Sequence, residues 1–303
     1  MTPLSAPLPP RAFLSLLLIA CLFGANHVAA RVAFNHGLDV PTAVAARSLV
    51  TAAVVALLFL WQGQPPAITP RQRRVLPLIA ALVAVQSLCL YSAVARLPVA
   101  LALLAFNTFP IWTAAWAFGV YRRRPERRVL LAMPAILLGL VLALDVFGAA
   151  SGLDLATQWG RIGSGVGFAV GGAMVFGLAL ALTQHEVAEL DGRLRTAVTM
   201  ALVGLLALGG VAWQGGFHWP QAVAGWWGLA ALTLLYGTGI TMMFTLLPKL
   251  GVVGNSPILN VEPVAALVMA WGVLDQRVAP VQVLGSLVVV GAVMALGLRR
   301  RRG

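Results

Sequence analysis

The chain has 303 residues, of which 60% are hydrophobic and 10% are charged, and its mean hydropathy is +0.91. Because about a quarter of the residues of a soluble domain are charged, this composition excludes an ordinary water-soluble protein and indicates a chain within a lipid bilayer. The formal charge of +12 would suggest nucleic-acid binding in a soluble protein. In a membrane protein, basic residues first report the orientation of the loops, so we expect no nucleic-acid partner.

Ten continuous apolar runs follow one another along the chain. Helices are the only open structures that satisfy their own backbone in lipid, so the runs predict an all-α, polytopic membrane protein with ten transmembrane helices. The proline-rich residues 1–10 are predicted to form a disordered cytoplasmic tail. The first run is too long for the apolar part of a cleaved signal peptide. The ten predicted spans are 12–34, 41–62, 75–95, 98–120, 129–147, 163–184, 196–213, 226–247, 252–274 and 278–298.

The basic residues predict which side of the membrane each loop occupies. Cytoplasmic loops carry an excess of Lys and Arg, and 16 of the 21 basic residues fall on the side that holds the N-terminus. The opposite loops hold only Arg96, Arg161 and Arg277, and Arg31 and Arg47 lie within spans. Both termini are therefore predicted to be cytoplasmic.

No motif for a metal or a cofactor is present in the sequence. Cys21 and Cys89 lie in apolar runs and have no partner at metal-binding or redox spacing. The glycines between 163 and 172 lack the preceding strand of a nucleotide-binding loop, and small residues spaced by four favour close helix packing instead. We therefore expect neither a metal nor a cofactor.

The two halves of the chain resemble each other at an offset of 153 residues. The matched pairs around the fourth and ninth spans are Arg96 with Lys249, Leu97 with Leu250, Asn107 with Asn260, Pro110 with Pro263, Ala117 with Ala270, and Gly119 with Gly272. Residues 1–150 and 151–303 then hold five spans each, and an odd number inverts the second half in the membrane. Inverted repeats are typical of secondary transporters, whose substrate site lies near the midplane between the repeats.

Several motifs resemble the EamA family of the drug/metabolite transporter superfamily. They are the run from Phe23 to Val28 (FGANHV), Arg47, the run from Arg96 to Ala100 (RLPVA) with Pro110, and Glu262 followed by Pro263. The resemblance covers nearly the whole chain and implies a ten-helix exporter of small metabolites in the bacterial inner membrane. Within the family, the chain is most similar to the YddG-type exporters of aromatic and other neutral amino acids.

The sequence departs from the family at two equivalent positions. Family members often carry Leu-Gly-Glu after spans four and nine. This chain has Tyr121, Arg122 and Arg123 in the first position and Leu274, Asp275 and Gln276 in the second. A role of those glutamates is therefore not transferred to this chain.

Polar side chains within the spans are the candidates for substrate binding, because such groups are costly in lipid and face the bundle interior or a wet cavity. Aromatic side chains would supply the apolar walls of a small-molecule site. By resemblance, spans one, three, four, six, eight and nine line the central cavity. The polar candidates are Asn26, His27, Gln86, Tyr91, Asn107, Tyr236, Asn260 and Glu262, and the aromatic candidates are Phe109, Trp112 and Phe176.

Two prolines are predicted to act as hinges. Pro110 and Pro263 each follow an asparagine by three residues, and a proline inside a helix frees a backbone carbonyl and kinks the helix. Asn107 and Asn260 beside such kinks could bind a substrate ammonium group, or they could form hydrogen bonds between helices.

The sequence allows more than one role for each of three ionisable residues in the spans. Glu262 is the only carboxylate well inside a span, and it could bind an amino group, carry a proton, or pair with Arg47 or Arg31. The guanidinium of Arg47 suits a permanent structural ion pair. His27 could act in proton transfer or as a neutral, hydrogen-bonded side chain.

The sequence therefore predicts a secondary transporter that exports small metabolites, above all aromatic or hydrophobic amino acids, by alternating access. Its expected partners are a small-molecule substrate and the lipid bilayer. Export of other metabolites or drugs is the alternative within the superfamily, and a passive channel or a structural membrane protein is the alternative outside it. No paired carboxylates, histidine cluster or Ser/His pair at midplane depth indicates an enzyme.

Overall fold

In a computed structural model, the described residues are 10–61, 68–122, 127–144, 147, 155–246, 262–276 and 279–297. These residues form helices and connecting turns and contain no strand. The predicted tail 1–10 lies outside them except for Pro10, which begins the first helix. The helices are α1 (Pro10–Asn35), α2 (Val40–Leu60), α3 (Pro70–Arg96), α4 (Val99–Phe106), α5 (Phe109–Tyr121), α6 (Arg127–Ala143), α7 (Leu155–Glu186), α8 (Gly192–Trp213), α9 (Val223–Leu246), α10 (Glu262–Leu274) and α11 (Pro280–Gly297).

Seven apolar segments of the described chain are long enough to cross a membrane. They belong to α1, α2, α3, α7, α8, α9 and the combined α4 and α5. Shorter apolar helices occur within α6, α10 and α11. Large apolar side chains such as Leu57, Leu131 and Leu234 face outward and are exposed, as expected of a surface that contacts lipid rather than water.

Local sequence signals explain several helix starts. At α3, the Thr69 side chain accepts a hydrogen bond from the backbone of Gln72, and the Gln72 side chain accepts one from the backbone of Thr69. This reciprocal arrangement satisfies two N–H groups that lack partners within the helix. At α8, the Asp191 carboxylate accepts hydrogen bonds from the N–H groups of Arg193 and Leu194.

The predicted fourth span is divided into two helices. α4 ends at Phe106, Asn107 and Thr108 form a turn, and α5 begins at Phe109 with Pro110 in its first turn. Because Pro110 has no N–H, it cannot bond to the Phe106 carbonyl one turn earlier. The helix is interrupted at Asn107 and Thr108, just before Pro110, and we call this interruption the α4–α5 break; that Pro110 acts as a hinge stays a prediction.

Two short helices occupy equivalent places in the halves of the chain. α5 and α10 have 13 residues each, begin 153 positions apart, and carry proline as their second residue. The residues that follow them, Arg122 and Asp275, have φ angles of 55° and 52° and are the non-glycine residues with positive φ in the described chain. Glycine is the residue that most readily adopts this left-handed conformation after a helix.

The main helix contacts join the two halves. α1 packs on α9 and α10, α2 on α8, α3 on α7, α5 on α7, and α6 on α11. A Cβ atom on Gly24 of α1 would lie 3.1 Å from the Ala266 nitrogen of α10. A Cβ atom on Gly177 of α7 would lie 2.7 Å from the Thr113 nitrogen of α5. Because Gly24 and Gly177, and also Thr113 and Ala266, are 153 positions apart, the same close backbone contact occurs twice.

The helix that contains the sixth predicted span begins before that span. α7 begins at Leu155, whereas its segment long and apolar enough to cross a membrane is Ile162–Glu186, close to the predicted span 163–184, and Arg161 precedes this segment within the helix. The first turns of α7 contain Gln158, Gly160 and Arg161, which interrupt the apolar run without breaking the helix. Hydropathy therefore located the apolar part of this helix but not its start.

Candidate functional site

Five helices bring polar side chains together between the two halves. We call this group the central cluster; its members are Asn26 and His27 of α1, Arg47 of α2, Ser87 and Tyr91 of α3, Tyr236 of α9, and Glu262 of α10. Ser87 and Tyr91 are four residues apart and therefore lie on one face of α3. The cluster thus combines residues from helices that are distant in sequence.

His27 contacts Glu262 across the interface of α1 and α10. The Nε2 atom of His27 lies 3.3 Å from Oε1 of Glu262, and the two side chains are 7% and 26% exposed. Gly24, three residues before His27, lets α1 approach the first turn of α10, because a Cβ there would lie 3.1 Å from the Glu262 carbonyl oxygen. The carboxylate is in the first turn of α10, where the helix dipole favours negative charge.

Tyr91 lies at the middle of the cluster and is fully buried. Its hydroxyl donates a hydrogen bond of 3.1 Å to Oδ1 of Asn26. Its ring lies 5.4 Å from the His27 ring and 6.0 Å from the Phe34 ring, measured between centroids. Tyr91 of α3 therefore contacts three side chains of α1.

Arg47 is buried beside two tyrosine rings. Its Cζ atom lies 4.8 Å from the ring centroid of Tyr91 and 3.8 Å from that of Tyr236. Its Nη2 donates a hydrogen bond of 3.2 Å to Oγ of Ser87. The Tyr236 hydroxyl donates to the sulfur of Met200 at 3.4 Å.

The suggested ion pairs of Glu262 with Arg47 or Arg31 are not formed. Glu262 contacts His27 instead, and Nη1 of Arg31 donates to the backbone oxygen of Val94 at 2.7 Å. Arg47 has no carboxylate partner in the described part of the chain. The sequence could not reveal this arrangement, because spacing along the chain does not show which helices adjoin.

Three buried nitrogen atoms of the central cluster have no hydrogen-bond partner among the described residues. They are Nδ2 of Asn26, Nδ1 of His27 and Nε of Arg47. Buried polar groups in proteins are hydrogen-bonded with few exceptions. Unpartnered polar atoms in the centre of apolar helices therefore indicate a place where a ligand or water completes the hydrogen bonding.

A second group of predicted residues surrounds the α4–α5 break. The ring centroids of Phe106, Phe109 and Phe176 lie 5.3 to 5.8 Å from one another, and Trp112 packs against the same apolar core. Asn107 is buried, and its Nδ2 has no partner within the described chain. This group offers apolar ring surfaces with one amide beside them.

The structure therefore divides the predicted site residues. Asn26, His27, Tyr91, Tyr236 and Glu262 belong to the central cluster, whereas Asn107, Phe109, Trp112 and Phe176 lie around the break. Gln86 is buried on α3 beside Gly172 of α7. Pro263 is the second residue of α10. Asn260 lies outside the described residues.

Arg47 and Ser87 were not among the predicted site residues, although the structure places both in the cluster. One signal was available for Ser87, which lies one helical turn before Tyr91. Arg47 was noted as an intramembrane charge, but it was interpreted as half of a structural ion pair.

An apolar helical bundle with several membrane-spanning segments, and with a buried polar cluster between its two halves, is the architecture of a membrane transport protein. The model of the EamA-like transporter family matches residues 10–144 and again residues 163–298, so the chain belongs to this family. Its members are membrane transporters built from two repeats, rather than enzymes.

No curated protein matches the chain. The crystal structure of another protein superposes on this chain with a TM-score of 0.60 and is 17% identical to it in sequence. The superposition covers 94% of this chain and 96% of the other. At this identity the similarity concerns the fold alone.

Proposed function

We propose that this protein is a secondary transporter that exports amino acids with aromatic or other hydrophobic side chains across the bacterial inner membrane. In this proposal, ten spans form two inverted five-helix repeats, residues 1–150 and 151–303, with both termini in the cytoplasm. Movement of one repeat against the other exposes the centre alternately to each side.

The observation that carries the proposal is the composition of the central cluster. It combines a carboxylate, buried amide and histidine groups, and two tyrosine rings, and it lies between helices of both halves. An amino acid with an aromatic side chain needs three kinds of contact. They are an acceptor for its ammonium group, hydrogen-bond donors for its carboxylate, and ring surfaces for its side chain. Since α1, α2 and α3 precede residue 150 and α9 and α10 follow it, movement between the repeats would alter the cluster.

A second substrate class is favoured by the residues around the α4–α5 break. The rings of Phe106, Phe109 and Phe176 offer apolar contacts, which suit uncharged aromatic drugs or metabolites. The EamA scaffold does not itself decide between these substrates, because fold does not determine function.

The test is flux into liposomes that contain the purified full chain. We expect saturable transport of at least one aromatic amino acid from a panel of radiolabelled amino acids. Replacing Glu262 by glutamine should lower kcat/KM by about tenfold or more, because an acceptor for the ammonium group is weakened. The matched control is Asp275→Asn, which makes the same chemical change outside the cluster and should leave flux unaltered.

Three results would contradict the proposal. Absence of saturable flux for every amino acid would exclude amino acid transport. Saturable flux of uncharged aromatic drugs alone would favour the second substrate class, whereas flux that rises linearly with concentration would indicate a passive channel.

A further inference from the structure

Arg47 carries a positive charge in the interior of the bundle without a compensating carboxylate in the described chain. Its side chain is 2% exposed, and it lies on the second turn of α2. Two carboxylates of the described chain have histidine partners instead, since Glu262 contacts His27 at 3.3 Å and Asp39 contacts His218 at 2.8 Å. A buried charge is costly unless it is paired and hydrogen-bonded, so the surroundings of Arg47 are incomplete.

The contacts of the guanidinium leave part of its hydrogen-bonding capacity unused. The tyrosine rings at 3.8 Å and 4.8 Å supply cation–π attraction, but they accept none of its in-plane N–H bonds. Ser87 accepts one bond from Nη2, whereas Nε has no partner. The donors of a guanidinium lie in one plane and match the two oxygens of a carboxylate.

A neighbouring amide also needs an acceptor. Oδ1 of Asn26 accepts the hydroxyl of Tyr91 at 3.1 Å, while Nδ2 of Asn26 is buried and unpartnered. An amide NH2 group can only donate. Asn26 and Arg47, which both contact Tyr91, therefore each have a buried donor without a partner among the described residues, and a group that satisfies such a donor must be an acceptor.

We propose that Arg47 binds the carboxylate of the transported substrate, with the amide of Asn26 as an additional donor. The substrate class that this geometry selects is a monocarboxylate. A dicarboxylate or a phosphate ester would place further negative charge near Glu262, which like-charge repulsion disfavours.

This inference rests on the proposed function, since it assigns an orientation to the amino acid in the central cluster. It also explains why Arg47 has no carboxylate partner in the described part of the chain. A permanent internal ion pair would occupy the guanidinium, whereas a substrate carboxylate pairs with it only when the site is loaded.

The first experiment compares four ligands of the purified full chain that differ at one end. They are phenylalanine, phenylalaninamide, 3-phenylpropionate and phenethylamine, and the measurement is the dissociation constant by calorimetry. We expect phenylalanine to bind about tenfold or more tightly than phenylalaninamide, because the amide lacks the charged partner of Arg47. We expect 3-phenylpropionate to bind more tightly than phenethylamine for the same reason.

The second experiment repeats the comparison in variants. Replacing Arg47 by glutamine should reduce the ratio of the two affinities, phenylalanine over its amide, to about one. The matched control is Arg31→Gln, which removes a guanidinium that donates to the Val94 backbone and should keep the ratio of the wild-type protein. Because the ratio is measured within each variant, general loss of stability does not imitate the effect.

Four outcomes decide the inference. Equal affinity of the wild-type protein for phenylalanine and its amide overturns it, even if the Arg47 variant does not fold. A ratio that persists in Arg47→Gln overturns it as well. Tight binding of 3-phenylpropionate that depends on Arg47, without flux of any amino acid, supports the carboxylate site and contradicts the proposed function. Saturable flux of phenylalanine and its amide at equal rates contradicts the carboxylate site but not the proposed function.

Discussion

At the scale of single residues, Arg122 and Asp275 adopt a backbone conformation that favours glycine. Their φ angles are 55° and 52°, and a non-glycine residue in the left-handed region costs roughly 1–2 kcal/mol, with Asp among the more tolerant types. Both residues follow equivalent helices, α5 and α10. The strain therefore has a defined local origin, which is the end of each short helix.

Replacing Asp275 by glycine is expected to raise the stability of the folded protein. The gain should be about 1 kcal/mol, because glycine has no Cβ to oppose positive φ. The measurement is thermal unfolding of the purified chain in detergent. Asp275→Ala is the control, since it removes the same carboxylate and retains a Cβ; it should lower stability. A gain in both variants would show that the carboxylate, and not the backbone, is responsible.

The sequence identified many residues of the central cluster but not their contacts. Asn26, His27, Tyr91, Tyr236 and Glu262 were identifiable because a polar group within an apolar span is rare and costly. The pairing of Glu262 with His27 was not, since it depends on α1 packing against α10 through Gly24. The sequence suggested a carboxylate partner for Arg47, and none is found among the described residues.

At the scale of helices, α6 and α11 pack so closely that their backbones are in contact. A Cβ atom on Gly285 would collide with the backbone nitrogen of Ala143 and lie 2.6 Å from the backbone oxygen of Gly139. Small residues at such crossings allow van der Waals contact between membrane helices. This contact joins the last helix of the first half to the last helix of the second.

Replacing Gly285 by alanine should therefore destabilise the protein by about 1–3 kcal/mol, the usual cost of overpacking. The control is Gly291→Ala on the same helix, where an added Cβ meets no atom within 4 Å. That change should be neutral or stabilising, because alanine has the higher helix propensity. Thermal unfolding of both variants tests this, and equal effects at the two positions would contradict the close contact.

A polar contact joins three helices at the end of the bundle that the basic residues predict to be cytoplasmic. Oε1 of Glu186 on α7 accepts hydrogen bonds from Nη2 of Arg71 on α3 at 3.0 Å and from the hydroxyl of Tyr121 on α5 at 2.9 Å. The Tyr121 ring also stacks on His185 at 3.9 Å. Helices of both halves are thereby held together at this end.

Replacing Glu186 by glutamine should loosen this end, because the amide accepts more weakly and loses its charge. We expect faster thiol labelling of a cysteine at position 181, introduced as Ala181→Cys after replacement of Cys21 and Cys89. Ala181 is fully buried on α7. The control is Glu189→Gln in the exposed turn that follows. Unchanged labelling in the Glu186 variant would contradict a role of this contact in closing the end of the bundle.

Helix positions followed from hydropathy more reliably than helix ends did. The helix is interrupted just before Pro110, where a residue without an N–H weakens the helix, whereas movement at this point stays a prediction. The helix α7 extends seven residues before its apolar segment, because Arg161 and the polar residues beside it continue the helix outside the apolar run. An apolar run indicates the part of a helix that lies in lipid. The helix itself extends beyond that run for as long as its backbone hydrogen bonds continue.

At the scale of the whole molecule, the offset of 153 residues recurs at several levels. It relates the matched asparagine and proline residues, the bounds of α5 and α10, the two residues with positive φ, and the two close contacts made by Gly24 and Gly177. The two matches of the family model begin at residues 10 and 163, again 153 positions apart. A duplicated unit was therefore predictable from the sequence, because both copies must meet the same backbone requirements.

The substrate could not be predicted from composition or from the repeat. Its recognition depends on which side chains meet between the halves, and this is set by packing rather than by spacing along the chain. The unpartnered nitrogen atoms of Asn26, His27 and Arg47 became visible only with the tertiary structure. They now give a chemical basis for choosing the ligands in an assay.

The decisive measurement is counterflow of phenylalanine in liposomes that contain the full chain. The liposomes are loaded with unlabelled phenylalanine, and labelled phenylalanine is added outside at a low concentration. An alternating-access transporter predicts a transient accumulation of label above its equilibrium level, because internal substrate returns the binding site to the outside. Monotonic entry of label without an overshoot, at the rate of liposomes that carry a channel, would contradict transport by alternating access.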